Sequence, residues 1–194
     1  MNIDDYLSKQ KKEKSALRSE LSKESDRGCA LYGASYLESA LSDLLYCSLA
    51  MDKNIEKELF DGTAPLSSFS ARINMAYYLG KISKNQKVDL HAIKKIRNEF
   101  AHVAKPMSFD SDKVSDRCKG LSMSYHEPKS KPRAHFTAAL FGLLSHIESE
   151  TLKCKAPEIM SDNAPSKQYK REFRESLEKQ VDELLASYKL GANS

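Results

Sequence analysis

The chain has 194 residues, of which 40% are hydrophobic and 30% charged, and a formal net charge of +4. That length fits one domain, or one domain with a docked extension. A mean hydropathy of −0.58, with no apolar run long enough to cross a bilayer, argues against a membrane protein. The opening MNIDDYLSKQKKEK is polar and lacks the apolar segment of a secretory signal, so a cytoplasmic location is expected. A pI near 8.7 permits contact with RNA or DNA without demanding it.

Residues 1–25 read as an N-terminal helical arm. Leu7, Leu17 and Leu21 are its apolar positions among many charges, and the KQKKEK run is a solvated face. Residues 26–155 read as a helical core. Within residues 27–51, Leu31, Ala34, Leu37, Leu41, Leu44, Leu45 and Leu49 recur at three- and four-residue steps, the period of one buried helix face. Tyr32, Tyr36 and Tyr46 are expected to broaden that face, and Gly28 and Gly33 to admit a neighbouring helix. Asp61-Gly62 and Pro65 mark a turn, after which Ser67 or Ser68 can cap a helix running to about Ile82. Phe69, Ile73, Ala76, Tyr77, Leu79 and Gly80 lie on its core side. Asp89 is expected to cap the next helix, with Leu90, Ile93, Ile96 and Phe100 as its stripe and Pro106 as its stop.

A short helix follows from Asp110 or Ser111, with Val114, Cys118 and Leu121 spaced for burial. Residues 122–132 form a polar loop, and residues 133–152 a helix with Phe136, Ala139, Leu140, Leu143, Leu144 and Ile147 inward. Residues 156–194 read as a linker and an amphipathic C-terminal helix. Phe173, Leu177, Val181, Leu184 and Tyr188 make a narrow stripe there, suited to a seam with the body or with a second copy. Period-two alternation is absent, so the fold class is all-α, a bundle of about six helices.

The stretch DLHAIKKIRNEFAH carries the densest chemistry. Arg97 offers a permanently charged fork for phosphate, and His102 can exchange a proton near neutral pH. Asn98 stands one turn before His102. Together they suit a site in which His102 acts on an RNA 2′-hydroxyl and Arg97 stabilises charge on phosphorus. Five residues turn a helix by roughly 140°, so Arg97 and His102 reach one phosphate only if the helix bends or a second subunit contributes. The structural alternative pairs Arg97 with a core-edge carboxylate such as Glu38 and leaves His102 to satisfy terminal carbonyls.

Lys129, Lys131 and Arg133, flanked by His126 and His135, form a small basic cluster for a nucleic-acid or protein partner. The four cysteines include no Cys-x-x-Cys pair, and no His-x-x-x-His spacing occurs, so neither a metal nor another cofactor is expected. Cys29 and Cys47 fall in an apolar helical pattern and read as buried or half-buried thiols. A helix-turn-helix is missing too. The join between Gly80 and Asp89 is too long for one, and the helix after it too apolar.

LFDGTAPLSSFSARINMAYYLGKIS, DLHAIKKIRNEFAH and SFDSDKVSDRCKGL together resemble the MltR family, that of the mannitol operon repressor. The resemblance covers residues 27–152. It implies an all-helical, self-associating regulator of transcription, a homodimer that acts mainly through protein contacts. The Arg-Asn-x-x-x-His string is also similar to the active motif of HEPN-domain ribonucleases. That second resemblance implies a metal-independent endoribonuclease, with Arg97, Asn98 and His102 in a composite dimer site.

Overall fold

The computed structural model describes residues 3–50, 52, 54–102, 107–161 and 163–191, with side chains between residues 11 and 186. These residues form α1 (Ile3–Lys23), α2 (Asp26–Ser48), a π-helical segment (Glu56–Phe60), α3 (Phe69–Tyr78), α4 (Lys84–His102), α5 (Asp112–Lys119), α6 (Pro132–Lys153) and α7 (Lys167–Gly191). No strand occurs among them. The all-α bundle is as expected, with more helical elements than the sequence suggested, because the π-helical segment carries no periodic signal of its own. The chain divides into two compact units, Met1–Glu158 and Ile159–Ser194.

In the first unit α2 is the hub, touching α1, α3, α4 and α6. Leu37, Leu41, Leu44 and Leu45 are fully buried along it, as their spacing requires. Tyr32 and Tyr36, expected to widen this face, are instead 57% and 44% exposed. One residue step turns a helix by about 100°, which carries Tyr36 away from the Leu37 side. Gly33 lies where α6 comes closest. A Cβ there would stand 3.1 Å from Leu140 Cδ2 and 3.3 Å from Phe136 Cε1, so a larger residue would push the two central helices apart. Gly28 has no such role, since it faces the Glu24 side chain.

Phe100 of α4, Phe109 and Phe136 of α6 pack through the core with tilted rings whose centroids lie 5.1 and 5.0 Å apart. The α4 stripe, Leu90, Ile93, Ile96 and Phe100, is wholly buried. Leu17 and Leu21 of α1 join the same core, each burial contributing about 1.5–3 kcal/mol. Leu7, Tyr188, Met51 and Pro106 lie outside the residues or side chains described.

The helix ends show which local signals decided the boundaries. Ser68 caps α3, its hydroxyl accepting from Ala71 N. That helix ends in a Schellman turn. Gly80, at φ +69°, donates to the Tyr77 carbonyl while Lys81 N donates to that of Ala76. The expected Asp89 cap is overturned. Ser83 N donates to Gln86 Oε1 at 2.7 Å, and Gln86 N donates to Ser83 Oγ at 3.3 Å, a reciprocal box that starts α4 at Lys84. Asp89 lies inside the helix, only 2% exposed. Its carboxylate accepts from Ser122 N (3.1 Å), Ser122 Oγ (3.0 Å) and Met123 N (2.7 Å). It therefore ties the loop after α5 to α4.

Candidate functional site

Arg97 sits on the fourth turn of α4, at the edge of its apolar stripe, where α4 runs beside α2 and α3. Its Nη2 lies 3.6 Å from Glu38 Oε2, and its Nη1 donates to Asn98 Oδ1 at 3.0 Å. Glu38 also faces Arg72, whose Nη1 lies 3.7 Å from Oε1. Arg72 is held more firmly, donating to the Leu66 carbonyl at 2.8 Å and to Ser42 Oγ at 2.9 Å. One carboxylate is thus shared by two guanidinium groups, neither close enough to hydrogen-bond to it.

Around this pair opens a polar cleft of about 370 Å³, lined by Glu38, Ser67, Ser68, Phe69, Ser70, Lys94, Arg97 and Asn98. Lys94 reaches Ser70 Oγ across it. Lys94, Arg97 and Asn98 stand at i, i+3 and i+4, so one face of α4 supplies them all. The amino end of α3 faces the same space, which adds its partial positive charge. With Lys94 and Arg97 against the single carboxylate of Glu38, the cleft favours an anionic guest. Sequence reasoning had named Arg97, Asn98 and the Glu38 pairing. It names Ser67 and Ser68 only as helix caps and passes over Lys94 and Ser70, although the spacing of Lys94 from Arg97 is a usable signal.

His102 is the exposed last residue of α4, one helical turn beyond Asn98, and is not among the residues that line the cleft. His91, one turn before Lys94, meets Asn74 Oδ1 at 3.2 Å. Burial lowers its pKa, aided by Lys94, Lys87 and Lys95.

Of the predicted basic cluster, Lys131 and Arg133 line one surface cavity with Arg18 and His126. Lys129 and Lys131 are exposed. Arg133 points inward, donating to Asp26 Oδ1 at 2.8 Å and to the Leu21 and Glu24 carbonyls at 2.7 Å each. Asp26 also accepts from Phe109 N at 2.9 Å. This knot fastens the α1–α2 corner to α6. His135 is buried, with Nδ1 2.9 Å from Ser124 Oγ. Among the described residues no group of three or more His, Cys, Asp or Glu side chains is arranged to hold a metal ion, and no helix is long and apolar enough to cross a membrane.

A comparison with curated proteins returned no match. Among solved structures, the chain is similar to one described as the X-ray structure of the MtlR-HPr complex from Escherichia coli. The TM-score is 0.55 at 18% identity, over 70% of this chain and 99% of that one. At that identity the likeness establishes the fold alone. The model of the mannitol repressor family (MtlR) matches residues 47–140, a segment that holds α3, α4, α5, the Ser67–Ser70 rim of the cleft and Arg97. The likeness to the mannitol repressor family thus rests on residues 47–140.

Proposed function

We propose that this protein is a transcriptional regulator of the mannitol repressor type that acts by docking a folded protein partner rather than by cutting RNA or reading DNA directly. The observation that carries this reading is the state of Arg97. It shares Glu38 with Arg72, bonds to Asn98, and borders a cationic cleft open to solvent, which suits an acidic or phosphorylated side chain on a partner surface. The family match spans the same elements. A protein of the HPr kind, present in the complex to which the fold is similar, is the partner to test first.

The reading extends to a homodimer formed through α7. Tyr169, Phe173, Leu177, Val181 and Leu185 lie at four-residue steps and are each 44–57% exposed. Residues 167–174 are net positive and residues 175–186 net negative. An antiparallel second copy centred on Leu177 sets each half against its opposite, with Phe173 facing Val181. Sedimentation of Leu177→Glu beside the parent chain checks this. A parent that is monomeric at high micromolar concentration rules the α7 dimer out.

The ribonuclease alternative remains a distinct outcome of one experiment. Purified protein is titrated calorimetrically with the HPr of its own cell, and incubated in EDTA with labelled RNA beside His102→Ala. Binding that Arg97→Ala weakens, with intact RNA, is the expected result. Cleavage to 2′,3′-cyclic phosphate ends by the parent but not by His102→Ala replaces the regulator with a nuclease.

A further inference from the structure

Two cysteines far apart in sequence meet at one end of the first unit. Cys47 lies in the last turn of α2, and Cys154 caps the carboxyl end of α6. Each sulfur reaches the other's element. Cys154 Sγ stands 2.8 Å from the Cys47 carbonyl oxygen and 3.2 Å from Ser48 Oγ. Cys47 Sγ stands 3.9 Å from the Thr151 carbonyl oxygen. Lys81 Nζ lies 4.0 Å from Cys154 Sγ. That lysine is delivered by the Gly80 turn, and its own carbonyl oxygen lies 3.1 Å from His146 Nε2 of α6.

We propose that Cys154 is a peroxide-reactive thiol and Cys47 its resolving partner, so that an oxidant joins α2 to α6 through a Cys47–Cys154 disulfide. The division of labour follows from the surroundings. Burial pushes Cys154 up, but hydrogen bonds from Cys47 and Ser48 and the Lys81 ammonium outweigh it and hold the thiol below its ordinary value. Glu150 opposes this, though it is engaged with Lys153 at 2.9 Å. Burial and the bond to Cys154 push Cys47 up to about 11. The remaining cysteines are a built-in control. Cys29 and Cys118 are 0% exposed, and burial pushes Cys118 up to about 12.

The chemistry balances with hydrogen peroxide as the oxidant. The Cys154 thiolate attacks one peroxide oxygen, the O–O bond breaks, and the departing hydroxide takes a proton to leave as water. The resulting sulfenic acid is attacked by the Cys47 sulfur, the S–O bond breaks, and the oxygen leaves as a second water with the Cys47 proton. The two sulfurs together give up two electrons. The link closes a loop across most of the first unit, which restricts the unfolded chain and raises Tm by several degrees.

The test uses the full chain, reduced, desalted and exposed to a small excess of hydrogen peroxide. Peptide mapping should find Cys47 joined to Cys154, with Cys29 and Cys118 free, a raised Tm, and reversal by dithiothreitol. Cys47→Ser should stop at a Cys154 sulfenic acid that dimedone traps. Lys81→Met should slow iodoacetamide labelling of Cys154 severalfold without changing the helical circular dichroism. Four free thiols after peroxide, a disulfide between other cysteines, or a folded Cys154→Ser chain that loses thiols as fast as its parent overturns the proposal. Should that variant not fold, alkylation of the parent decides, because Cys154 must react before the other three.

Discussion

Arg133 and Arg97 each meet a carboxylate of α2, and their surroundings differ in a way that separates scaffold from surface. Arg133 is held by several short bonds. It contacts Asp26 at 2.8 Å and two backbone carbonyls at 2.7 Å, while Asp26 accepts a further amide from Phe109. Arg97 stands 3.6 Å from a carboxylate that it shares with Arg72, and it donates to the neighbouring Asn98 at 3.0 Å. The side chains are nearly equal in exposure, 31% and 35%, so exposure alone does not tell them apart. The number and length of the bonds do. A guanidinium whose donors are used holds a corner together, whereas one with spare donors beside a cleft can take a new acceptor.

Removing the firmly held arginine should have the largest effect. Arg133→Ala strips donors from Asp26 and from the Leu21 and Glu24 carbonyls at the α1–α2 corner, and half-buried acceptors without partners are costly. A loss of about 2–3 kcal/mol is expected, a fall in Tm of roughly 5–10 °C for a chain of this size, with Leu17 and Leu21 loosened from the core. Thermal unfolding followed by circular dichroism measures it. A variant as stable as the parent erases the distinction between the two arginines.

Arg97→Ala should do the reverse. Loose, partly exposed ion pairs contribute at most about 1 kcal/mol, so Tm should move by no more than a few degrees. Affinity for an anionic partner surface should fall about tenfold or more if the cleft is used, the usual scale for losing a charged contact at an interface. A large drop in stability with unchanged partner binding would place Arg97 in the scaffold beside Arg133.

The sequence displayed the fold more fully than the site, for a physical reason. Burial on a helix repeats every three or four residues, so the stripes of α2, α4 and α6 could be read directly, as could the Ser68 cap. Polar residues obey no such period. Asp89 looked like a cap because acids favour helix starts, yet its partners are Ser122 and Met123, brought to it by α5 and not by local sequence. The Ser83-x-x-Gln86 spacing is the signal that the reading of Asp89 as a cap passes over, and the box outweighs an isolated acid because it satisfies two amides at once. Arg97 and Glu38 could be paired on paper because both edge apolar stripes of packed helices. Ser70 over Lys94, Arg133 under the α1–α2 corner, and Cys47 beside Cys154 depend on distances across the chain that no periodicity encodes.

The smallest effect bears on the cleft's own charge. His91 shares α4 with Lys94 and Arg97 and is held neutral by burial and by Lys94, Lys87 and Lys95. Its folded pKa lies below the ordinary value near 6.5, so the unfolded chain takes up this proton first as pH falls. Stability carried by neutral His91 is therefore complete above about pH 6.5 and declines as pH drops toward the folded pKa. Tm measured from pH 7.5 to pH 5.5 should show a small decline that His91→Gln flattens, leaving the carboxylate-driven loss at lower pH unchanged. Removing a neighbouring cation in Lys94→Met should shrink the decline as well, since one cause of the depressed pKa is then gone. If Lys94→Met leaves the pH dependence untouched, Lys94 does not set the potential on this face of α4, and the preference of the cleft for an anion rests on Arg97 and the α3 amino end alone.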